Sequence, residues 1–468
     1  MRPGYTPSNP IRLAINIGAC LDIPTGSWIK GRKGEMVCNG GLYPSTAFVA
    51  GGNAFKSTTM MYAMYTACLR LDYGSIDTSM SIYETEMNAV IARLIALSHN
   101  YGFPLDRDII NEGKLVVTDK SKDWADGFHA KYKDFIAAKI KDGTTVSTPF
   151  YCNDKTTPYR VLPISLTAYD SASEIETSHA TTLRDKSGLG DSDQQTMHMK
   201  QGLIKYNMFM ELPVLINNGM DYLAMTGQYK QDTIQMVSGP HQAPPPKRTP
   251  DMKGGERIKG VPDKFYYLLN NCWYIKSLSN MYANDTRANK YPASADDDQE
   301  DNDLKLLTVI NLRGKGGPSG VPVYIVVSQR EGVLASMTEF YHIKEVAKNF
   351  GISGNNIHYS LDILPDVKLS RTTIRPKLAN DPRLARAINI TSELLQMINM
   401  MPEYGPYYCT PKQLYDDIKA LGYDWEFILS NTRGWYTLNE CYDTPLKFLS
   451  IFDLLRMRKG EYKPYWME

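Results

Sequence analysis

Lys56 and Ser57 follow a run of small residues in AGGNAFKST, where a β-rich stretch gives way to an amphipathic one. A lysine ammonium placed there neutralises phosphate charge and a serine hydroxyl ligates Mg²⁺. Backbone N–H groups of the loop and of a following helix N-terminus converge on phosphate oxygens. The strict pattern G-x-x-x-x-G-K-[ST] is not met, because Ala50 and Phe55 occupy its glycine positions. Gly51 and Gly52 are expected to supply the close backbone approach, since glycine adopts positive φ freely. The candidate phosphate loop is thus Gly51, Gly52, Asn53, Ala54, Phe55, Lys56, Ser57 and Thr58. Taken alone, the same residues also fit an ordinary small-residue turn ahead of a helix.

Hydrolysis at such a loop needs a carboxylate to polarise water, a second to hold Mg²⁺ or its waters, and a polar group sensing the terminal phosphate. Glu86, Asp170 and Asn218 stand where they could serve, each at the end of an apolar β-rich run. Each alone also fits a helix cap or a hydrogen-bonded strand end. Their order along the chain and their common position favour the chemical reading.

The elements that must position them follow from periodicity. Residues 11–343 alternate short β-rich runs with amphipathic helices, the pattern of a mainly parallel, twisted α/β sheet with helices on both faces. Strands are expected at 46–50, 80–83, 161–169 and 212–216, with polar residues collecting at their carboxyl ends, where open α/β sheets bind ligands. Long irregular stretches are expected at 177–196 and 226–261, of a length that is usually functional or disordered. The acids from Asp296 to Asp303 read as a solvated surface insertion. Beyond Lys344 shorter helical segments prevail, one opened by Thr410 as N-cap and Pro411 as first helical residue. The expected organisation is a short N-terminal segment at 1–20, a core at 21–344 and a smaller α/β or α-rich C-terminal domain at 345–468.

With 43% hydrophobic and 22% charged residues over 468 positions, the composition is that of a soluble globular protein, and no apolar run reaches membrane-spanning length. The polar, proline-rich start MRPGYTPSNP argues against export. Seven scattered cysteines without a CxxC pair argue against a disulfide framework or zinc site and suit a reducing cytoplasm. A net charge of +1 excludes a uniformly basic nucleic-acid binder, so any DNA contact must come from local patches.

Taken in order, these motifs resemble the RecA family, and within it the phage UvsX branch, in which an FKS ending like Phe55-Lys56-Ser57 also occurs. The resemblance covers residues 21–351 with loop insertions and thins out beyond. It carries the water-activating role onto Glu86 in YETE, with Glu84 as the preceding acid, and the Mg²⁺ role onto Asp170, followed by Ser171, beside Ser57. It places Asn218 of LPVLINN at the γ-phosphate switch position. LGDSDQQTMHMKQGLIKY is similar to the first DNA-binding loop and its helix, and the basic stretch ending MKGGERIKGVPDKF to the second. INLRGKGG resembles the strand whose basic residues, here Arg313 and Lys315, reach a neighbour's ATP. Gly434 to Tyr436 is similar to a Gly-Trp-Tyr element near the family's C-terminus. Family members carry an N-terminal helix and strand that dock on the next subunit, whereas little more than MRPGYTPSNP precedes the core here.

The resemblance implies a DNA-dependent ATPase using ATP and Mg²⁺, assembled as a helical filament on single-stranded DNA and pairing it with double-stranded DNA, in the cytoplasm of a phage-infected bacterium. Phosphate contacts would come from Arg184 and Lys186 in the first loop and from Lys247, Arg248, Lys253, Arg257 and Lys259 in the second, with Tyr229 and His241 as stacking groups. Without an ATPase context these cations equally fit solvated charged loops. Two other functions share the pattern: a ring-shaped replicative helicase, suggested by YETEMNAVIARL, and a non-catalytic filament or scaffold protein, suggested by the degenerate loop.

Overall fold

The computed structural model describes residues 12–86, 91–105, 112–152, 155–186, 192–231, 256–262, 267–283, 287–294, 303–314, 316–355, 357–439 and 444–467. Among them, ten strands form one sheet: β1 (Ser45–Ala50), β2 (Met80–Glu84), β3 (Leu115–Asp119), β4 (Ser165–Asp170), β5 (Asp221–Gln231), β6 (Glu256–Ile258), β7 (Asn271–Asn280), β8 (Leu304–Gly314), β9 (Pro322–Ser328) and β10 (Gly332–Val333). Their order is β10-β9-β8-β7-β1-β5-β4-β2-β3, with β6 on β5. The six strands from β7 to β3 run parallel. Strands β8, β9 and β10 extend one edge antiparallel. A large, mostly parallel sheet flanked by helices is therefore present, as expected.

Every residue of β1 is buried, as a central strand covered on both faces must be. Its pleat splits the core. Phe48 and Ala50 join a cluster with Met60, Met64 and Leu71 of α1 (Lys56–Tyr73) and Leu94 and Leu97 of α2 (Ile91–Asn100). Ala47 and Val49 join the opposite cluster, with Phe128, Tyr132 and Ile136 of α3 (Ala125–Asp142) and Phe209, Leu212 and Ile216 of α5 (Ser192–Gly219). No helix among the described residues is long and apolar enough to cross a membrane.

Several expected elements differ. Residues 212–216 are not a strand but the last turns of α5. The buried residues Met208, Phe209, Leu212 and Ile216 recur at helical spacing, and the strand follows at β5. The run at 161–169 is two strands: Pro158–Val161 pairs with Val146–Tyr151 in a separate hairpin, and only β4 enters the main sheet. Within the expected irregular stretch 177–196, α4 (Ser178–Lys186) and the start of α5 are helical. Of the stretch 226–261, the first six residues continue β5 and residues 256–258 form β6, leaving 232–255 outside the described residues. Among the acids at 296–303, Asp303 is described, and it is buried against Arg375 at 3.2 Å rather than solvated.

The later helices are α6 (Ala335–Tyr341), α7 (Ile374–Asn380), α8 (Pro382–Met400), α9 (Pro411–Ala420), α10 (Trp425–Asn431) and α11 (Ile451–Arg458). Thr410 and Pro411 take the expected N-cap and N1 positions of α9, with Gln413 completing a capping box. Their apolar cluster, built on Leu384, Ile388, Leu394, Leu454 and Leu455, also takes in Met337, Phe340, Val326 and Leu304. Of the cysteines, Cys20, Cys38, Cys68, Cys152, Cys272 and Cys409 are described, and none of these is in a disulfide.

Candidate functional site

Strand β1 ends at Ala50, and residues 51–55 turn the chain into α1. The positive φ values in this turn belong to Asn53 (52°) and Phe55 (59°), not to Gly51 or Gly52. A Cβ on either glycine would meet nothing within 4 Å, so the two leave the loop's outer side open. Phe55 is N-cap of α1 in left-handed conformation, and its side chain packs on the α1-side core. The ring holds the loop to the scaffold at the position where the strict motif has glycine. Lys56 Nζ donates to Gly51 O at 2.9 Å, drawing the lysine back across the loop it follows.

Three neighbouring strands bring their carboxyl ends to this loop. Ser57 Oγ donates to Asp170 Oδ1 at 3.0 Å, joining the first turn of α1 to the end of β4. Thr226 Oγ1, on β5, donates to the same oxygen at 2.6 Å. Register pairs Glu84 of β2 with Asp170, and Ala50 of β1 with Gln228 of β5. Thr85 locks β2 to β4. Its N–H donates to Asp170 O (2.7 Å), its hydroxyl donates to Ser171 O (2.8 Å), and Ser171 N–H donates to that hydroxyl (2.7 Å). The Asp170–Ser171 peptide bond is cis.

Glu86 stands one residue beyond Thr85, half-buried, its N–H bonded to Glu84 Oε1 at 2.9 Å. Its carboxylate makes no hydrogen bond or ion pair among the described residues. Burial pushes the Asp170 carboxyl above the ordinary range, with Glu86 adding to the rise and the Thr226 and Ser57 hydroxyls and Lys56 opposing it. A bound cation would favour the ionised form. Among the described residues no three His, Cys, Asp or Glu side chains cluster to hold a metal by themselves. A hydroxyl and a carboxylate are the hard oxygen donors that suit Mg²⁺ shared with phosphate oxygens and water.

Asn218 is not at this site. It lies exposed in the last turn of α5, next to Met220, whose carbonyl accepts from Ser165 N–H at the opposite end of β4. That is a strand's length, roughly 17 Å, from Asp170. The polar residue of β5 level with the carboxyl end of β1 is Gln228, half-buried, its N–H bonded to Ser173 Oγ at 2.7 Å and its carbonyl to Lys259 N–H at 2.9 Å.

Arg313 sits opposite Cys272, which pairs with Ala47, so it stands toward the amino end of β1, away from Lys56. Its guanidinium donates to the carbonyls of Leu269 (3.1 Å) and Tyr267 (2.6 Å). Lys315 lies outside the described residues, as do Lys247, Arg248, Lys253 and His241. Arg184 and Lys186 belong to α4. Tyr229 is not presented to a loop; it stacks on Tyr274 within the sheet, ring centroids 4.5 Å apart. Arg257 and Lys259 line a cavity of about 340 Å³ together with Lys205 of α5 and Lys230 of β5. Lys259 also reaches Glu174 at 2.6 Å. Sequence reasoning named neither Lys205 nor Lys230, although both fall in segments it singled out, because only the packing of α5 and the pairing of β6 on β5 bring them to one wall.

No family model matches the chain, and no curated protein matches it. Among solved structures, the crystal structure of the RadB recombinase aligns with 63% of this chain and 92% of that one, at 14% identity and a TM-score of 0.31.

Proposed function

We propose that the chain is an ATP-hydrolysing protein that binds single-stranded DNA and promotes homologous pairing, in the manner of the RecA-type recombinases its motifs resemble, the phage UvsX branch above all. The observation that carries this reading is the convergence of Ser57, Asp170 and Thr226 within hydrogen-bond distance beside the loop at Lys56. Mg²⁺, when bound with ATP, supplies charge neutralisation at the transferring phosphoryl group. Lys56 leaves Gly51 O to meet phosphate, and the N–H groups opening α1 complete the cradle. Ser57 and Asp170 hold the metal or its waters. Glu86, free of partners among the described residues, orients and deprotonates the attacking water.

Gln228 takes the phosphate-sensing role that the sequence had assigned to Asn218. Its strand leads directly toward the basic stretch at 232–255, and its backbone is tied to Lys259, one of four cations on the same cavity wall. A shift of Gln228 toward a bound terminal phosphate would therefore move the DNA-facing cations, so that nucleotide state sets DNA affinity by population shift. Arg313, remote from its own Lys56, would serve a neighbouring copy in a filament.

Fluorescence anisotropy of a labelled single-stranded oligonucleotide tests this coupling. Affinity should rise at least tenfold when a slowly hydrolysed ATP analogue replaces ADP, and the gain should vanish in Gln228→Ala. Equal affinity in both nucleotide states would rule the coupling out.

A further inference from the structure

Beyond β7 the chain folds back on itself, with Lys290 N–H bonded to Met281 O at 2.9 Å, and packs against the segment after α6. Between them lies a cavity of about 750 Å³, whose described walls carry four cations, Lys290, Lys344, Lys348 and Arg371, and one carboxylate, Glu345. It shares no residue with the site at Lys56.

The carboxylate is already engaged: Lys290 Nζ lies 2.8 Å from it, and the Tyr291 hydroxyl donates to it at 3.0 Å. No carboxylate among the described residues pairs with the other three cations. Lys344 Nζ sits 3.7 Å from the centroid of the Tyr359 ring. Arg371 spends Nη1 on the carbonyls of Asn289 (3.1 Å) and Lys290 (3.3 Å), leaving the rest of its donor fork unused among the described residues. Lys348 is exposed on a turn in which it and Asn349 both take positive φ, 52° and 68°. Tyr359, also on the wall, is 2% exposed, and its hydroxyl has no hydrogen-bond partner among the described residues. A buried orphan hydroxyl in a native fold calls for a partner.

Gathering like charges around a concave space is unfavourable unless an anion occupies it. Burial holds the Lys344 ammonium below its ordinary value, with Glu345 opposing the fall and Lys290 adding to it, and an anion would reinforce Glu345 in reversing that fall. We propose that this cavity binds the phosphate groups of a small phosphorylated molecule. Four cations against one carboxylate leave an excess of three positive charges, which matches a multiply charged anion, and the planar guanidinium of Arg371 suits phosphate oxygens. The cations converge on a cavity of small-molecule size instead of lining a ridge, which favours a compact ligand over the backbone of a duplex.

The test is calorimetric titration of the full chain with inorganic pyrophosphate in a Lys56→Ala background, which removes the lysine of the other phosphate loop. Pyrophosphate should bind, and Lys348→Glu and Lys344→Gln should each weaken it by roughly tenfold or more, the loss of one charge-assisted hydrogen bond. Lys412→Gln, exposed on α9 and paired with Asp416, should leave it unchanged. Lys348 is exposed, and an unchanged urea midpoint in Lys348→Glu separates lost binding from lost folding. Absent binding, or binding indifferent to Lys348 and Lys344, overturns the proposal. So does a short DNA duplex that binds through Lys348 where pyrophosphate does not. Because the proposal does not depend on ATP hydrolysis at Lys56, its failure and that of the ATPase reading are separately visible.

Discussion

Ser57 Oγ and Asp170 Oδ1 lie 3.0 Å apart, although 113 residues separate them in sequence. The contact ties the helix after the loop to the neighbouring strand end, and it makes Asp170 the group on which metal dependence should turn. Asp170→Asn keeps the shape and both hydroxyl partners but removes the charge. Nucleotide affinity of the native chain should fall on Mg²⁺ removal by EDTA, while Asp170→Asn should already be weak and respond little. An undiminished Mg²⁺ response in the variant would remove Asp170 from the metal site.

Gln228 and Asn218 offer a paired comparison. Gln228→Ala should cut DNA-stimulated hydrolysis by on the order of tenfold to a hundredfold, the scale of losing one group that touches the reacting phosphoryl. Asn218→Ala, exposed at the far end of the sheet, should leave the rate unchanged. The reverse pattern would restore the sequence-based assignment.

Much of this site is legible in the sequence, because Lys56, Ser57, Glu86 and Asp170, to which the proposed chemistry is assigned, stand at or just beyond strand ends that periodicity locates. Asn218 was misplaced because LPVLIN is a short apolar run, and such runs do not distinguish a strand from a buried helical turn. Pro213 was the available signal, since proline lacks the N–H that a central strand must donate. Once that run is helical, the strand moves to β5 and its polar end becomes Gln228. The positive φ at Phe55 was not legible, because the ring's packing on the core, a tertiary contact, sets it.

Thr85 is a stability prediction. Thr85→Val preserves volume but strips the hydroxyl that Ser171 N–H and Ser171 O both use. Leaving those buried groups unpaired should cost roughly 1–3 kcal/mol. Urea denaturation reads this directly, and an unchanged midpoint would show that the lock contributes nothing.

A pH dependence should arise far from the loop, where Glu339 of α6 faces Glu393 of α8. Burial, then the Glu393 charge, pushes the Glu339 carboxyl up to about 8. Burial pushes Glu393 up to about 7. The unfolded chain ionises both near 4.5. The folded chain therefore holds more protons in between, and this contribution is full below about 4.5 and lost as pH rises through the folded values. Unfolding free energy should fall between pH 5 and 8, by up to roughly 1.4 kcal/mol per pH unit for each group. Glu339→Gln should flatten that fall in urea titrations. An equal slope in both proteins would show that Glu339 does not hold its proton.

The most direct measurement is phosphate release from ATP with and without single-stranded DNA, for the native chain, Lys56→Ala and Glu86→Gln. DNA should stimulate the native rate. Lys56→Ala should abolish hydrolysis together with nucleotide binding. Glu86→Gln should lower turnover by roughly a hundredfold or more, the scale of a lost general base, while still binding nucleotide and DNA. A native chain that releases no phosphate, or a rate that Lys56→Ala and Glu86→Gln leave intact, would contradict the assignment of this site.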